Sequence, residues 1–163
     1  AQIDGEANIN LVGTGDYPEV EKRFPGSYGS AYMYFVVPKV ILFSLEHSRR
    51  IFVPKVDFIS APGTSKSGIY RPGGPKALVT ELCLMSFDLD RSRFQLESVH
   101  PGHTLEEVLD NTGFEFDIPE TVITTPEPEA EWLCILNSQI GEEIAEIYPS
   151  FVNRVFDGVS FKS

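Results

Sequence analysis

The stretch Phe24-Pro25-Gly26-Ser27-Tyr28-Gly29-Ser30-Ala31 is a glycine-containing loop that leads into an apolar run over residues 34–45. Glycine adds no Cβ and tolerates positive φ, so such a loop beside a buried strand lets backbone N–H groups approach a ligand closely. Within the run, residues 40–45 are nearly all apolar and predict a strand that is buried on both faces. Taken alone, the loop is equally typical of an ordinary turn.

The chain around this loop is rich in strand patterns first and in helical patterns later. Residues 9–13, 77–87 and 94–99 are predicted to be strands. The polar linker over residues 88–93 predicts an antiparallel hairpin between the last two. The sequence therefore indicates an α/β or mixed-β fold.

Thr104-Leu105-Glu106-Glu107 has the pattern of a capping box and predicts a helix that runs to about Asn111, with Gly113 as its stop. No internal repeat is evident, so residues 1–163 are expected to form a single domain whose helical tail covers residues 119–163. The remaining segments are expected to be a β-prone stretch over 51–59 that Pro54 breaks, a loop over 61–75, a short strand over 114–118, a proline- and threonine-rich connector over 119–128, and helical stretches over 129–148 interrupted by Gly141.

Charge and composition exclude several classes of function. The net charge of −11 is concentrated in the second half: residues 1–76 carry nine Lys/Arg against seven Asp/Glu, and residues 77–163 carry four against seventeen. So acidic a chain is not expected to bind nucleic acid, and no apolar run reaches the ~18–20 residues of a membrane span. The N-terminus lacks the pattern of a signal peptide. Cys83 and Cys134 lie in apolar surroundings and are expected to be buried thiols of a cytoplasmic protein.

Three local groupings suggest chemistry only superficially. His100 and His103 lie near two carboxylates but lack a defined third ligand, so no metal site is expected. Glu46-His47-Ser48 contains triad-like residues, but neighbouring strand residues point to opposite faces. Gly73-Gly74-Pro75-Lys76 is similar to half of a phosphate loop and lacks the required spacing.

Cations that an anionic ligand would meet lie in the first half of the chain. For each of them a solvated surface charge is the competing interpretation. They are Lys22, Arg23, Arg49, Arg50, Lys66 and Arg71.

Six segments in a fixed order carry a resemblance to a known family. They are Ala1-Gln2-Ile3-Asp4 with Asn8-Ile9-Asn10, Pro25-Gly26-Ser27-Tyr28-Gly29-Ser30, Glu46-His47-Ser48, Thr80-Glu81-Leu82 with Phe87-Asp88, His100-Pro101-Gly102, and Thr112-Gly113-Phe114. Over about residues 1–118 the chain resembles the β subunit of family I coenzyme A transferases. The β subunit of glutaconate CoA-transferase and the C-terminal half of succinyl-CoA:3-oxoacid CoA-transferase are members of that family.

The resemblance implies an open α/β sheet of mixed strands, with an antiparallel hairpin and flanking helices. It also implies a hetero-oligomer with an α-like subunit and an active site between the two subunits. In that chemistry a β-subunit glutamate attacks an acyl-CoA thioester, giving an anhydride and then a glutamyl-CoA thioester. The loop would supply oxyanion-stabilising backbone N–H groups at Tyr28 and Gly29, while Gly26, Ser27 and Ser30 would contact the coenzyme A thioester, which is a substrate rather than a resident cofactor.

Two departures from the family pattern bear on the activity. The chain begins at the family's A-Q strand, after the segment that carries the glutamate, so the nucleophile is expected outside these residues. A fragment, one half of a split subunit and a protein without the nucleophile all fit this. Tyr28 stands where the family commonly has glycine, and a positive φ there would cost about 1–2 kcal/mol. Such a change favours altered substrate choice, or a hydrolase or decarboxylase on the same scaffold.

Several alternatives therefore stay open. Tyr28, Tyr32, Tyr34 and Phe35 suit a bulky or apolar acyl group, and equally suit packing beneath the loop. Glu46 is expected to position other groups rather than to replace the nucleophile. The chain is either a CoA-thioester enzyme subunit or a non-catalytic partner that shapes an α-subunit site.

Overall fold

The structure, a computed structural model, describes residues 1–155. The chain divides into two compact units, Ala1–Thr125 and a second one that begins at Pro126. The boundary between them lies inside the connector that the sequence predicts over residues 119–128. In the part of the chain that the structure describes, no helix has the length and apolarity needed to cross a membrane.

Two small hairpins begin the first unit. Strand β1 (Gln2–Ile3) pairs antiparallel with β2 (Ile9–Asn10), and β3 (Gly13–Thr14) pairs antiparallel with β4 (Lys22–Arg23). The single strand predicted over residues 9–13 is therefore two short pieces. Asn10 breaks it, because its side-chain oxygen accepts hydrogen bonds from the next two free amides, those of residues 12 and 13.

A helix, not a strand, follows the glycine loop. Helix α1 (Ser30–Val36) has no side-chain N-cap, and its aromatic and β-branched residues are weak helix formers. It is held by tertiary packing, since the buried Tyr34 ring lies in the core and its hydroxyl donates to the Ala7 carbonyl at 2.9 Å. Helix α1 therefore occupies the start of the apolar run 34–45.

The first unit is built on a five-stranded mixed sheet. Its strands, in spatial order, are β5 (Val40–Phe43), β6 (Pro75–Val79), β7 (Cys83–Asp88), β8 (Arg93–Val99) and β9 (Ile123–Thr124). The two outer pairs, β5 with β6 and β8 with β9, run parallel, and the pairs between them run antiparallel. The predicted α/β sheet with an antiparallel hairpin is confirmed.

The strand predicted over residues 77–87 is two strands. A tight turn separates β6 from β7, and Thr80 forms it. The Thr80 hydroxyl oxygen accepts hydrogen bonds from the amides of Leu82 and Cys83, at 3.2 and 3.1 Å. This local bonding competes with a continuous strand.

One face of the sheet carries the core. Buried side chains from β6, β7 and β8 pack there on Phe52 and Phe114, for example Leu78, Met85 and Leu96. The prediction that residues 40–45 form a strand buried on both faces is wrong. Strand β5 lies at the edge of the sheet, and its side chains alternate between the two faces: Leu42 packs into the core, whereas Ile41 and Phe43 project onto the other face and are exposed.

Helix α2 (Leu105–Asn111) confirms the predicted capping box. The Thr104 hydroxyl accepts from the Glu107 amide at 3.1 Å, and the Glu107 carboxylate accepts from the Thr104 amide at 3.2 Å. The short strand predicted over residues 114–118 is wrong, since only Asp117 makes a bridge there and the two phenylalanines pack into the core.

Helices make up the described part of the second unit. They are α3 (Ala130–Ile135), a π-helical segment (Leu136–Ile140), α4 (Gly141–Ile147) and α5 (Pro149–Val155). Gly141 has helical dihedrals and marks the change from π to α hydrogen bonding rather than a break. Cys134 is exposed here, so the prediction of a buried thiol is wrong for Cys134 and confirmed for Cys83.

Candidate functional site: an anchored glycine loop

The base of the loop over residues 24–30 is fixed to the hairpin before it. The amides of Phe24 and Gly26 donate to the carbonyls of Val12 and Leu11, at 2.9 and 2.8 Å. Asn10 holds this segment in turn, because its fully buried side chain accepts from the Val12 amide and donates to the Gly13 carbonyl. The loop therefore rises from a rigid support.

Asn10 is a positioning residue that the sequence predictions did not assign. Its side-chain amide also donates to Gln2 Oε1 at 2.7 Å, and Gln2 is buried as well. Buried polar side chains need such partners, because leaving one unpaired costs about 1–3 kcal/mol. The only signal in the sequence is the cluster of amide side chains beside the first hairpin, within a segment that is otherwise strand-like.

The tip of the loop exposes backbone donors. Tyr28 has φ +46°, so the positive φ considered from the sequence is present, and its side chain is 91% exposed. Among the described residues, no acceptor lies in hydrogen-bonding position for the amides of Ser27, Tyr28 and Gly29. The Gly26 amide differs from these three, since it already donates to the Leu11 carbonyl at the base of the loop.

Space is available beside this tip. A Cβ added at Gly26 or Gly29 would meet nothing within 4 Å. The Ser30 hydroxyl is buried, and it has no hydrogen-bond partner within residues 1–155. The structure thus brings the five predicted site residues together on one loop, and three of their amides are without an acceptor in the described part of the chain.

The predicted aromatic set divides into two groups. Tyr28 and Tyr32 are exposed, the latter by 72%, and are free to contact a ligand. Tyr34 is a core residue, and the Arg71 guanidinium lies 5.3 Å from its ring centroid and 5.6 Å from that of Phe35. Of the four predicted aromatic residues, Tyr28 and Tyr32 are therefore the ones whose side chains are exposed at or near the loop tip.

Half of the candidate anion-binding cations are already engaged. Arg71 donates to the carbonyls of Pro62, Tyr34 and Gly73, and so braces α1. Arg49 donates to the Asp110 carbonyl, and Arg50 pairs with Glu46.

The segment Gly73-Gly74-Pro75-Lys76 is not a phosphate loop. The two glycine amides donate to carbonyls of α1 and of the residue after it, at 2.9 and 3.2 Å. A Cβ at Gly73 would lie 2.3 Å from the Val37 carbonyl oxygen, so the glycine is needed for close backbone packing.

The Glu46-His47-Ser48 segment does not form a catalytic triad. The buried His47 ring bonds to Thr80 Oγ1 and Thr112 Oγ1, at 2.8 and 2.9 Å, and so points away from Ser48. Burial lowers the pKa of His47 to about 4.

Glu46 lies just beyond β5 and is part of a small surface network. Its carboxylate accepts from the Ser48 hydroxyl and from Arg50, and these two hydrogen bonds lower its pKa. The carboxylate is thus held as an anion by its neighbours.

His100 and His103 point to separate partners. The two His100 ring nitrogens lie 2.7 Å from Thr125 Oγ1 and 3.0 Å from the Thr80 carbonyl, while His103 contacts Glu107 at 3.2 Å. Over residues 1–155 no group of three or more metal-ligating side chains is placed to bind an ion.

A cleft of about 840 Å³ lies elsewhere on the molecule. Its walls come from residues 4–6, 8, 54, 55, 59, 91–93 and 113–115 rather than from the loop. They carry charges of both signs, including Lys55 and Glu115. None of the five predicted site residues lines this cleft.

Comparison with known proteins identifies the family. A family model described as coenzyme A transferase matches residues 1–111. The chain is 38% identical over 134 residues to the B subunit of 3-oxoadipate CoA-transferase from Pseudomonas knackmussii, a match that covers 78% of this chain and 51% of that protein. It is 32% identical over 136 residues to the B subunit of glutaconate CoA-transferase from Acidaminococcus fermentans, covering 78% and 50%.

Solved structures agree with these matches. Glutaconate coenzyme A-transferase of A. fermentans superposes with a TM-score of 0.73 at 29% identity, over 85% of this chain and 55% of that one. IpdAB of Rhodococcus jostii gives 0.77 at 28%, over 84% and 56%, and the decarboxylase AibA/AibB gives 0.72 at 26%, over 84% and 53%. The chain spans about half the length of the relatives it matches. It belongs to the coenzyme A transferase family and is similar to the B subunits of that family's heteromeric enzymes.

Proposed function

We propose that this chain is part of the B subunit of a CoA-thioester enzyme that transfers coenzyme A between carboxylic acids. The observation that carries the proposal is that, within residues 1–155, the amides of Ser27, Tyr28 and Gly29 have no acceptor, on a loop that is anchored at its base and open at its tip. Preorganised backbone donors of this kind suit an oxygen that gains negative charge during acyl transfer. The similarity to the B subunits of two CoA-transferases supports the choice of reaction.

The reaction starts when a carboxylate attacks the carbonyl carbon of the acyl-CoA thioester. The carbonyl oxygen becomes an oxyanion, which the amides of Tyr28 and Gly29 stabilise. The C–S bond then breaks, CoA leaves as a thiolate, and a mixed anhydride remains on the enzyme. The thiolate then attacks the anhydride at the carbonyl carbon that derives from the enzyme carboxylate. The first acid leaves as a carboxylate, and the resulting enzyme–CoA thioester reacts with the second acid.

The attacking carboxylate comes, in this proposal, from the half of the relatives' length that the chain does not match. The A-like subunit would close the site from the other side, since the relatives are named as B subunits. Gly26, Ser27 and Ser30 would line the approach of the coenzyme A thioester. The Gly26 amide already donates to the Leu11 carbonyl, so Gly26 would not donate to the ligand. It would leave room for the ligand instead, since no atom lies within 4 Å of an added Cβ there.

A hydrolase or decarboxylase is the second candidate, and Tyr28 favours it. Tyr28, at φ +46° and 91% exposed, adds a bulky ring at the loop tip, where the family commonly has glycine. The chain is 28% identical to a subunit of a cholesterol ring-cleaving hydrolase of R. jostii and superposes on the decarboxylase AibA/AibB.

The test uses the assembled enzyme, purified through a tag on this chain, with acyl-CoA and a second carboxylic acid. Gly29→Pro removes the amide donor and Gly29→Ala keeps it, so the expected result is a kcat about 10²–10³-fold lower for the proline variant alone. Circular dichroism checks that both variants fold. An unchanged kcat for Gly29→Pro would overturn the role of the loop.

Product analysis separates the two candidates. Acyl transfer to the second acid supports the transferase, whereas release of free CoA without a new thioester supports the hydrolase. Trapping with borohydride or hydroxylamine, followed by peptide mass spectrometry, locates the carboxylate. No turnover by the assembled enzyme in either assay would leave only a non-catalytic role for this chain and overturn the proposal.

A further inference from the structure

The cleft of about 840 Å³ in the first unit has the size of a small-molecule site, since such sites usually measure about 300–1,000 Å³. It lies between the tip of the β7–β8 hairpin, the turn that joins β1 to β2, and the segments around Pro54 and Phe114. The glycine loop takes no part in its walls. A ligand held in this cleft would therefore occupy a second site, apart from the one proposed for CoA-thioester chemistry.

Two arginines at the hairpin tip share one carboxylate. Arg91 Nη1 lies 2.5 Å from Asp117 Oδ2, and Arg93 Nε lies 2.7 Å from Asp117 Oδ1. The buried Arg93 Nε nevertheless makes no hydrogen bond within residues 1–155. A second partner of Arg93, Glu115 at 3.6 Å, is 91% exposed and contributes little, because water and salt screen such a pair. Asp117 thus offsets one positive charge and leaves the other at the cleft.

The turn of the hairpin holds these arginines in place. The Asp88 carboxylate accepts hydrogen bonds from the amides of Asp90 and Arg91, both at 3.0 Å. Ser92 separates the two arginines and completes the turn at φ +50°. A ligand that binds here therefore has little backbone to order, which lowers the entropic cost of binding.

Lys55 adds a third cation to the wall of the cleft. Its side chain is exposed and has no ion pair within residues 1–155. The buried Asp4 carboxylate in the same wall has no capacity left for a ligand, because its four acceptor positions are occupied. They accept from the amides of Glu6, Asn8 and Val56 and from the side-chain amide of Asn8. The hydrogen-bonding capacity left inside the cleft is therefore mainly that of donors.

We propose that this cleft binds a small organic anion, whose phosphate or carboxylate group is held by Arg91, Arg93 and Lys55. The planar guanidinium fork matches either group, since both present two oxygens side by side. Ile59 and Phe114 supply apolar wall for the body of the ligand. The inference does not depend on the proposed function.

Isothermal titration calorimetry of the assembled enzyme, purified through a tag on this chain, tests the site. The probes are pyrophosphate for the phosphate group and citrate for the carboxylate group, compared at equal ionic strength. Lys55→Gln removes a cation that has no ion pair among residues 1–155, so it should weaken binding of the recognised probe about tenfold while the protein stays folded. Lys55→Arg keeps the charge and should restore most of the affinity.

The matched control is Lys66→Gln, which removes an exposed cation outside the cleft. Its Kd should stay within about twofold of the parent's. Absence of binding for both probes, or equal weakening by Lys55→Gln and Lys66→Gln, would overturn the proposal.

Hydrogen exchange locates the anion without substitution. The bound probe should slow exchange of the amides of residues 90–93 at least threefold, while those of residues 27–29 keep their rates. Slowing at residues 27–29 without slowing at 90–93 would place the anion on the glycine loop and contradict a second site. Neither measurement needs turnover, so failure of the proposed function and failure of this site are distinguished.

Discussion

The Nε2 atom of His47 lies 2.9 Å from Thr112 Oγ1, and that hydroxyl donates its own proton to the Val108 carbonyl at 2.6 Å. Thr112 therefore accepts from His47, which fixes the ring proton on Nε2. The Nδ1 atom then accepts from the Thr80 hydroxyl at 2.8 Å. A neutral imidazole thus joins the segment after β5 to the β6–β7 turn and to the end of α2.

The burial of a neutral His47 predicts that the folded protein loses stability in acid. The pKa of His47 is lowered to about 4 by burial, against about 6.5 in an unfolded chain, so the unfolded state takes up a proton first as pH falls. The free energy of unfolding should drop by about 3 kcal/mol between about pH 7 and about pH 4, measured by urea unfolding. The control His47→Gln removes this titration, so its stability should change less over the same window. Parallel pH curves for the two proteins would contradict the prediction.

Gly26 and Gly29 form a matched pair. Neither site has an atom within 4 Å of an added Cβ, but only Gly26 has a positive φ, at +105°. Gly26→Ala should therefore lower the free energy of unfolding by about 1–2 kcal/mol, and Gly29→Ala by less than about 0.5 kcal/mol. Urea unfolding of the purified chain measures both. Equal losses would mean that the backbone conformation of the loop does not set the cost.

The two cysteines should differ in reactivity. Cys83 is buried and burial raises its pKa to about 11, whereas Cys134 is exposed. A thiol reagent such as dithionitrobenzoate should label one cysteine of the native chain rapidly and the other only after denaturation. In Cys134→Ser the rapid phase should disappear, and its persistence would contradict the assigned burial of Cys83.

The Thr104 hydroxyl should contribute to the stability of the protein by capping α2. It caps α2, and replacement of such a cap by alanine typically costs about 1 kcal/mol of stability. Thr104→Ala should show this loss in denaturant unfolding, while Thr104→Ser should lose only a few tenths of a kcal/mol because the hydroxyl remains. Equal losses for the two variants would exclude the hydroxyl as the cause.

Features set by a few neighbouring residues were predictable from the sequence. The capping box of α2 depends on Thr104 and Glu107 alone, and the β7–β8 hairpin depends on a polar linker between two strand patterns. A positive φ at Tyr28 was considered from the sequence because the family commonly has glycine at that position, and the structure has it.

Features set by distant residues were not predictable. Helix α1 depends on Tyr34 reaching Ala7 and on Arg71 bracing it, so its own sequence carries little helical signal. The hydrophobicity of Ile41 and Phe43 shows that these side chains avoid water, but not whether the chain itself or another polypeptide covers them.

Because the base of the loop is anchored and its tip is exposed, the tip can accept amino-acid substitutions that the base cannot. Phe24 and Gly26 hold the base through backbone bonds that do not depend on the side chain at position 28. Under the proposed function, folding and acyl selectivity are therefore separable: the side chains at positions 28 and 32 can vary without breaking the hydrogen bonds of the loop base, although the positive φ at position 28 disfavours β-branched residues there. A library randomised at these two positions alone would sample substrate preference without a parallel search for compensating core mutations.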